Sequence, residues 1–179
     1  MKKITLIVFI IISYTSPAQQ KMITHAGIIN FEASIPFFEE VKATNNQIFC
    51  TLEPKISELN CVVAIKQFQF KRALMQTHFN ENYMESAKYA RATFKGKIEK
   101  LDIKNMDTIA KEYQIKGKIV LHGQAKKINV KAQIRKTVDG IEIITNFDLN
   151  TDDFKIEIPF IVSNKISKTV NTQLKCVLQ

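Results

Sequence analysis

Residues 115–149 read I-K-G-K-I-V-L-H-G-Q-A-K-K-I-N-V-K-A-Q-I-R-K-T-V-D-G-I-E-I-I-T-N-F-D-L. Ile115, Ile119 and Leu121 oppose Lys116 and Lys118. Ile128, Val130, Ala132 and Ile134 oppose Lys127, Asn129, Lys131 and Gln133. A period of two puts the apolar side chains on one face of a strand and the lysines on the other. Asp139-Gly140 between these runs signals a two-residue hairpin, because both central residues of a type I′ turn need positive φ. Ile141, Ile143, Phe147 and Leu149 continue the pattern beyond it.

The same alternation extends outward in both directions. Ile29, Phe31 and Ala33 form one run, Ile48, Cys50 and Leu52 a second, and Leu59, Cys61, Val63 and Ile65 a third. The apolar parity then slips to Phe68 and Phe70, which predicts a β-bulge near Lys66-Gln67. Phe94 and Ile98 oppose Thr93, Lys95 and Lys97; the last run carries Ile166, Val170, Leu174, Cys176 and Leu178. One segment departs from period two. Met75, Phe79 and Tyr83 are spaced i, i+4, i+8, the spacing of one helix face, so a short helix is expected over 73–84. Residues 151–165 are ambiguous, since Phe154, Ile156 and Ile158 alternate but Pro159 demotes an interior strand. About eight strands with one apolar face each predict an all-β fold: an antiparallel eight-stranded barrel with a short helix after the third strand. A two-sheet sandwich is the alternative.

The ends and the charge bound the setting. Lys2-Lys3, the apolar run Ile4 to Ile12 and Ser16-Pro17-Ala18 read as a signal peptide, residues 1–18, cleaved before Gln19. The apolar run is short of the ~20 residues that cross a bilayer. Residues 19–179 then form one domain, of a size that buries a real core. The formal charge of +9 falls to +7 with the loss of two lysines. Export and the even scatter of lysines along strands argue for a solvated basic face and against nucleic acid. Loose contact with an anionic membrane surface and a homodimer stay open. The setting is periplasmic or secreted.

Catalytic signatures are missing. The sequence has no G-x-S-x-G, Walker loop, H-E-x-x-H or G-x-G-x-x-G. His25, His78 and His122 lie far apart, with no metal-ligand spacing. His25 and His122 read as strand-surface residues, and Glu81 and Glu85 as solvated helix residues. No catalytic residue, metal or cofactor is expected. Gly27, Gly96 and Gly117 fall on the apolar parity of their strands. They either thin the filling of a barrel or let its strands bend.

Residues 68–98 carry a further signal. F-Q-F at 68–70, A-L-M-Q-T-H-F-N-E-N-Y-M-E-S at 73–86 and K-Y-A-R-A-T-F-K-G-K-I at 88–98 resemble the YceI-like family of bacterial periplasmic or secreted proteins. The family pattern has a His-hydrophobic step, an aromatic residue and a Tyr-x-x-Ala-Thr-Phe strand entry. Here these are His78-Phe79, Tyr83 and Tyr89 to Phe94. Many members carry Pro where this chain has Ala90, and the Tyr-Gly-Ile near the end of the pattern is Phe154-Lys155-Ile156 here. Asn45-Asn46-Gln47 and Phe154 to Pro159 are similar to the branch found in Bacteroidetes-type bacteria. The resemblance implies a lipocalin-like barrel that holds a long-chain lipid, a polyisoprenoid or a fatty-acyl type, without catalysis.

These readings give a set of expected positions. Strands of ~11 residues, rising ~3.3 Å each and tilted ~40°, make a barrel ~28 Å long, enough for a C16–C18 chain of ~20 Å but not for an extended C40 isoprenoid. Its lipid-facing wall is expected to include Phe31, Phe68, Phe70, Phe94, Ile98, Ile119, Ile134, Phe147 and Ile158, with Gly96 and Gly117 leaving room. Met75, Phe79 and Tyr83 should line the mouth. Lys71, Arg72, His78, Lys88 and Arg91 flank that segment, either to meet an anionic headgroup or as a solvated rim. If Glu53 pairs with Glu58, Cys50 lies opposite Cys61; a disulfide and two buried thiols are both compatible with that register. Cys176 should stay free. The function expected is binding of a long apolar lipid for transport, storage or stress protection. The alternative is a filled barrel that acts as an envelope interaction protein without a ligand.

Overall fold

The alternating residues become nine strands and one short helix in the computed structural model, which describes residues 21–179. The strands are β1 (Met22–Ser34), β2 (Lys42–Glu53), β3 (Glu58–Ala64), β4 (Gln69–Phe70), β5 (Arg91–Ile98), β6 (Lys111–Leu121), β7 (Gln124–Thr137), β8 (Gly140–Asn150) and β9 (Ile166–Leu178); the helix α1 is Ala73–His78. The expected signal segment, 1–18, lies outside the described residues.

The sheet runs β1-β9-β8-β7-β6-β5-β3-β2, and β1 pairs with β2 to close it. All pairings are antiparallel, so the fold is an eight-stranded barrel. Closure removes the exposed edges of an open sheet. The two-residue β4 follows β3 along the same side of β2: Phe49 pairs with Val62, and Ala43 with Phe70.

The slip between β3 and β4 is a 3-10 turn over Ile65–Gln67, not a bulge at Lys66-Gln67. Asn45 explains how the strand can stop there. Its side chain is fully buried; Nδ2 donates to the Ala64 carbonyl at 3.0 Å, and Oδ1 accepts from the Gln47 amide at 2.9 Å. A partly buried carbonyl left without a ladder partner on β2 is thereby satisfied. The bulges lie in β1 instead, on either side of Gly27. A Cβ on Gly27 would approach Cβ and O of Ile48 to 3.1 and 3.2 Å, so the glycine serves close approach of β1 and β2.

The β7–β8 hairpin also differs from expectation. Thr137 pairs with Gly140, so Val138 and Asp139 form the turn, one residue earlier than Asp139-Gly140. Gly140 alone there has positive φ, and any side chain on it would run into the Leu178 carbonyl of β9. The glycine is needed where the strand enters beside its neighbour.

The helical segment is α1 followed by a π-helical turn over Phe79–Tyr83. It crosses one end of the barrel, where β1, β3, β6 and β8 finish. The loops β1–β2, β3–β5, β6–β7 and β8–β9 all lie at this end, the mouth. Residues 151–165 supply 3-10 turns over Thr151–Phe154 and Phe160–Val162 rather than a strand. At the opposite end Leu52, Ile98, Ile134, Ile143 and Leu178 are all within 1% of complete burial. These side chains fill that end, and none of the five lines the cavity near the mouth.

Candidate lipid cavity

The mouth end is hollow. A cavity of about 350 Å³ opens there, within the ~300–1,000 Å³ range of small-molecule pockets. Strand residues supply its walls, among them Phe31 of β1, Val63 of β3, Phe94 of β5, Ile115 and Ile119 of β6, Ile128 and Val130 of β7, Phe147 and Leu149 of β8 and Leu174 of β9. Period-two alternation is what brings them to one surface. Its polar lining residues are His78, Thr93, Thr145, Asn150, Thr151, Ser167 and Thr172, with no lysine, arginine, aspartate or glutamate among the lining residues described. Thr145 uses its hydroxyl on the Lys131 carbonyl, at 2.8 Å. An unpaired charge brought into such a space would lose hydration and gain no partner.

Phenylalanines close over the mouth. Phe79, at the start of the π turn, stacks on Phe31 with ring centroids 5.4 Å apart and meets Phe68 and Phe70 at 5.6 and 5.0 Å. Phe31 in turn lies edge-on to Phe68 at 5.2 Å. This cluster holds the helical segment on β1 and β4. Met75 and Tyr83 also line the cavity, and burial pushes the Tyr83 phenol above its usual range.

A polar latch pins the loops beside it. His122 is buried at the β6–β7 turn, with φ of 48°. Its Nδ1 donates to the Phe154 carbonyl at 3.0 Å, and Nε2 lies 2.9 Å from Oε2 of Glu85. Tyr89 packs edge-on against the same imidazole at 4.4 Å. Lys126 pairs with Asp153. His122 is therefore not a strand-surface residue, nor Glu85 a merely solvated one. The backbone reversal that turns the imidazole inward leaves no trace in side-chain alternation.

The expected wall residues divide into two groups. Phe31, Phe68, Phe70, Met75, Phe79, Tyr83, Phe94, Ile119, Phe147 and Ile158 line the cavity. Ile98 and Ile134 do not; they belong to the packed end, 0% and 1% exposed. Gly96 and Gly117 do not open space either. They face each other across β5 and β6, and the Phe94 ring lies over both. A Cβ on Gly117 would stand 2.6 Å from that ring and 2.6 Å from the Lys95 carbonyl. The missing side chains make room for Phe94, not for a ligand. Ile65, Phe154 and Ile156, which alternate in the sequence, and Met84, which does not, are buried cavity residues left out of the expected wall. The Phe154-Ile156-Ile158 alternation is carried by turns.

The basic residues of the rim are spread. Arg72 pairs with Glu39 at 2.6 Å, Lys71 with Glu40 at 3.4 Å, and Lys88 lies 4.8 Å over the Tyr89 ring. Arg91 is exposed at the start of β5, and His78 alone of the five lines the cavity. Cys50 and Cys61 are directly opposed, with Cα atoms 4.2 Å apart, and form a disulfide; Cys176 is free and buried. Among the described residues no group of three or more His, Cys, Asp or Glu side chains could hold a metal ion.

Comparison with known proteins places this geometry. The chain has the fold of a polyisoprenoid binding domain from Saccharophagus degradans implicated in plant cell wall breakdown, with a TM-score of 0.77, 15% identity, and coverage of 89% of this chain and 97% of that one. BcnA from Burkholderia cenocepacia is similar at a TM-score of 0.67 and 10% identity, over 83% and 94% of the two chains. The YCEI protein of Campylobacter jejuni is similar at 0.52 and 17%, over 100% and 99%. No curated protein matches. At these identities the likeness is one of fold. The family model described as YceI-like domain, however, matches residues 16–178, nearly the whole chain, and the protein belongs to the YceI-like domain family.

Proposed function

We propose that the barrel holds one long-chain apolar lipid, of polyisoprenoid or fatty-acyl type, for transport, storage or stress protection, and that catalysis is no part of its role. The observation that carries this reading is the apolar cavity, lined by no charged side chain among the described residues, in a barrel whose other end is filled by buried apolar side chains that do not line it. Each buried CH₂ contributes ~0.8 kcal/mol before ordering costs, so a long chain gains much from such a wall. The polyisoprenoid binding domain of the same fold supports the ligand class. A filled barrel without a ligand would show no cavity of this size, and its presence speaks against that reading.

The mouth suits exchange with a lipid phase. Phe37, Phe160 and Ile161 are 105%, 93% and 85% exposed on the loops around it, and Leu74 is exposed on α1. Loose contact of this rim with a membrane surface belongs to the proposal. So does removal of residues 1–18 on export to the periplasm or outside the cell. Titration with cis-parinaric acid, a fluorescent C18 polyene, tests the binding. Saturation at one equivalent, with displacement by unlabelled lipid, is expected; fluorescence that rises without saturating would overturn the reading. An exported protein that begins at Gln19 supports the processing, and one that retains Ile4 to Ile12 contradicts it.

A further inference from the structure

The barrel wall has a parting. β7 and β8 pair from Thr137–Gly140 to Ala132–Thr145, and the ladder ends there. Yet β7 continues to Gln124 and β8 to Asn150. Over that length β7 is laddered to β6, and β8 to β9, without interruption. Thr145 marks the point of separation, because its Oγ1 caps the Lys131 carbonyl that the next rung would have engaged. Beyond it two strand edges face each other with N–H and C=O groups outside any ladder. A cleft occupies the gap, lined by Gln114, Asn129, Lys131, Asn146 and Asp148 on its outer side. Ile128, Val130 and Phe147 line both this cleft and the cavity. The latch at His122 and the Lys126–Asp153 pair bound the gap at the mouth end.

We propose that this seam between β7 and β8 is a second, lateral opening of the lipid cavity, through which a chain too long for the cavity passes the wall and where the uncharged polar end of such a lipid is bound. The proposal rests on the reading of the cavity as a lipid site. Three observations carry it. The packed end stops a chain from running deeper, so a longer one must leave by the mouth or the side. The mouth carries exposed Phe37, Phe160 and Ile161 beside the polar His78, Asn150 and Ser167, and the seam adds a separate set of hydrogen-bonding groups away from that apolar rim. The charges at the seam are already engaged: Lys131 with Glu112 at 2.9 Å, and Asp148 with the Asn171 amide at 2.9 Å. The hydrogen-bonding groups left over are the strand edges with Asn129 and Asn146, and the Asp148 carboxylate, which one amide hydrogen bond does not neutralise, repels a second anion. These groups match a hydroxyl, amide or carbonyl, and they do not compensate a carboxylate or phosphate.

Bridging the seam tests this. The register of Ala132–Thr145 would set Asn129 opposite Asp148 if the ladder continued, and both side chains are exposed. Cysteines in an Asn129→Cys/Asp148→Cys variant are joined by a short bifunctional thiol reagent. Cys176 is buried, with its thiol pushed up to about 12, so it does not compete. The probes are stearyl alcohol (C18) and octaprenol (C40). Bridging is expected to leave stearyl alcohol affinity unchanged, which also reports an intact fold, and to weaken octaprenol at least tenfold. Octaprenol bound equally well by the bridged and unbridged proteins overturns the seam while the cavity reading stands. Failure of both alcohols to bind the unaltered protein overturns the cavity reading and the seam with it.

Discussion

Lys155 shows how a single backbone angle can report on a family. It holds φ 54° and ψ 37°, the left-handed region, at the position where the Tyr-Gly-Ile of the family pattern has glycine. A non-glycine residue there costs ~1–2 kcal/mol, and glycine gives back part of that in unfolded-chain entropy. Lys155 is exposed, so Lys155→Gly is expected to stabilise the protein by about 0.5–1 kcal/mol in urea denaturation. A loss of stability would show that the lysine side chain holds the turn. Glu142 makes a different point. Its side chain is 7% exposed, between Arg135 at 2.5 Å and Lys175 at 3.2 Å. The hydrogen bond from Arg135 foremost, then that from Lys175, holds its carboxyl below the usual range, against the effect of burial. A depressed folded value means stability that is complete above the unfolded carboxyl's ~4.3 and lost as pH falls through the folded value. Glu142→Gln is therefore expected to cost about 1 kcal/mol at pH 7 and to flatten the stability profile below about pH 4. An unchanged acid limb would remove Glu142 from the account. Cysteine gives a simpler count: the unfolded, unreduced mature protein should titrate one thiol, Cys176, and a count of three would dismiss the Cys50–Cys61 bridge.

At the scale of elements, glycine placement decides how the wall is filled. Gly117→Ala is expected to destabilise by about 1–3 kcal/mol, because the new methyl meets the Lys95 backbone carbonyl as well as the Phe94 ring, and a carbonyl in a ladder cannot give way. Equal stability of the variant, measured by thermal unfolding, would contradict the packing of Phe94 across β5 and β6. The strands and the helix face were legible because alternation and i, i+4 spacing reflect which faces are buried. Register at β2–β3 was legible for the same reason, down to Glu53 opposite Glu58 and Cys50 opposite Cys61. The parting of β7 from β8 was not. Ile128, Val130, Ala132 and Ile134 alternate without a break through it, since side-chain pattern records the face a residue takes and not whether the next strand is bonded. Likewise Gly96 and Gly117 show that two side chains are absent, but only coordinates show that Phe94 fills the space. The turn at Val138-Asp139, the inward His122 and the 3-10 turn after Ala64 all depend on backbone dihedrals or on Asn45, a polar residue that alternation cannot place.

The whole molecule is a barrel with two halves of different kind. Leu52, Ile98, Ile134 and Leu178 form a buried base, and Phe31, Phe79, Phe94 and Phe147 surround a hollow lined by no charged side chain nearer the mouth. Under the proposed function, cargo and stability are carried by different residues. The most direct test is mass spectrometry of the protein exported by its own cell and purified without detergent, read intact under native conditions and again as an organic extract. About one equivalent of a long-chain, uncharged or singly headed apolar lipid is expected, present in the native mass and absent after extraction. A native mass equal to that of the bare mature chain, from protein that afterwards takes up no long-chain lipid, would contradict it.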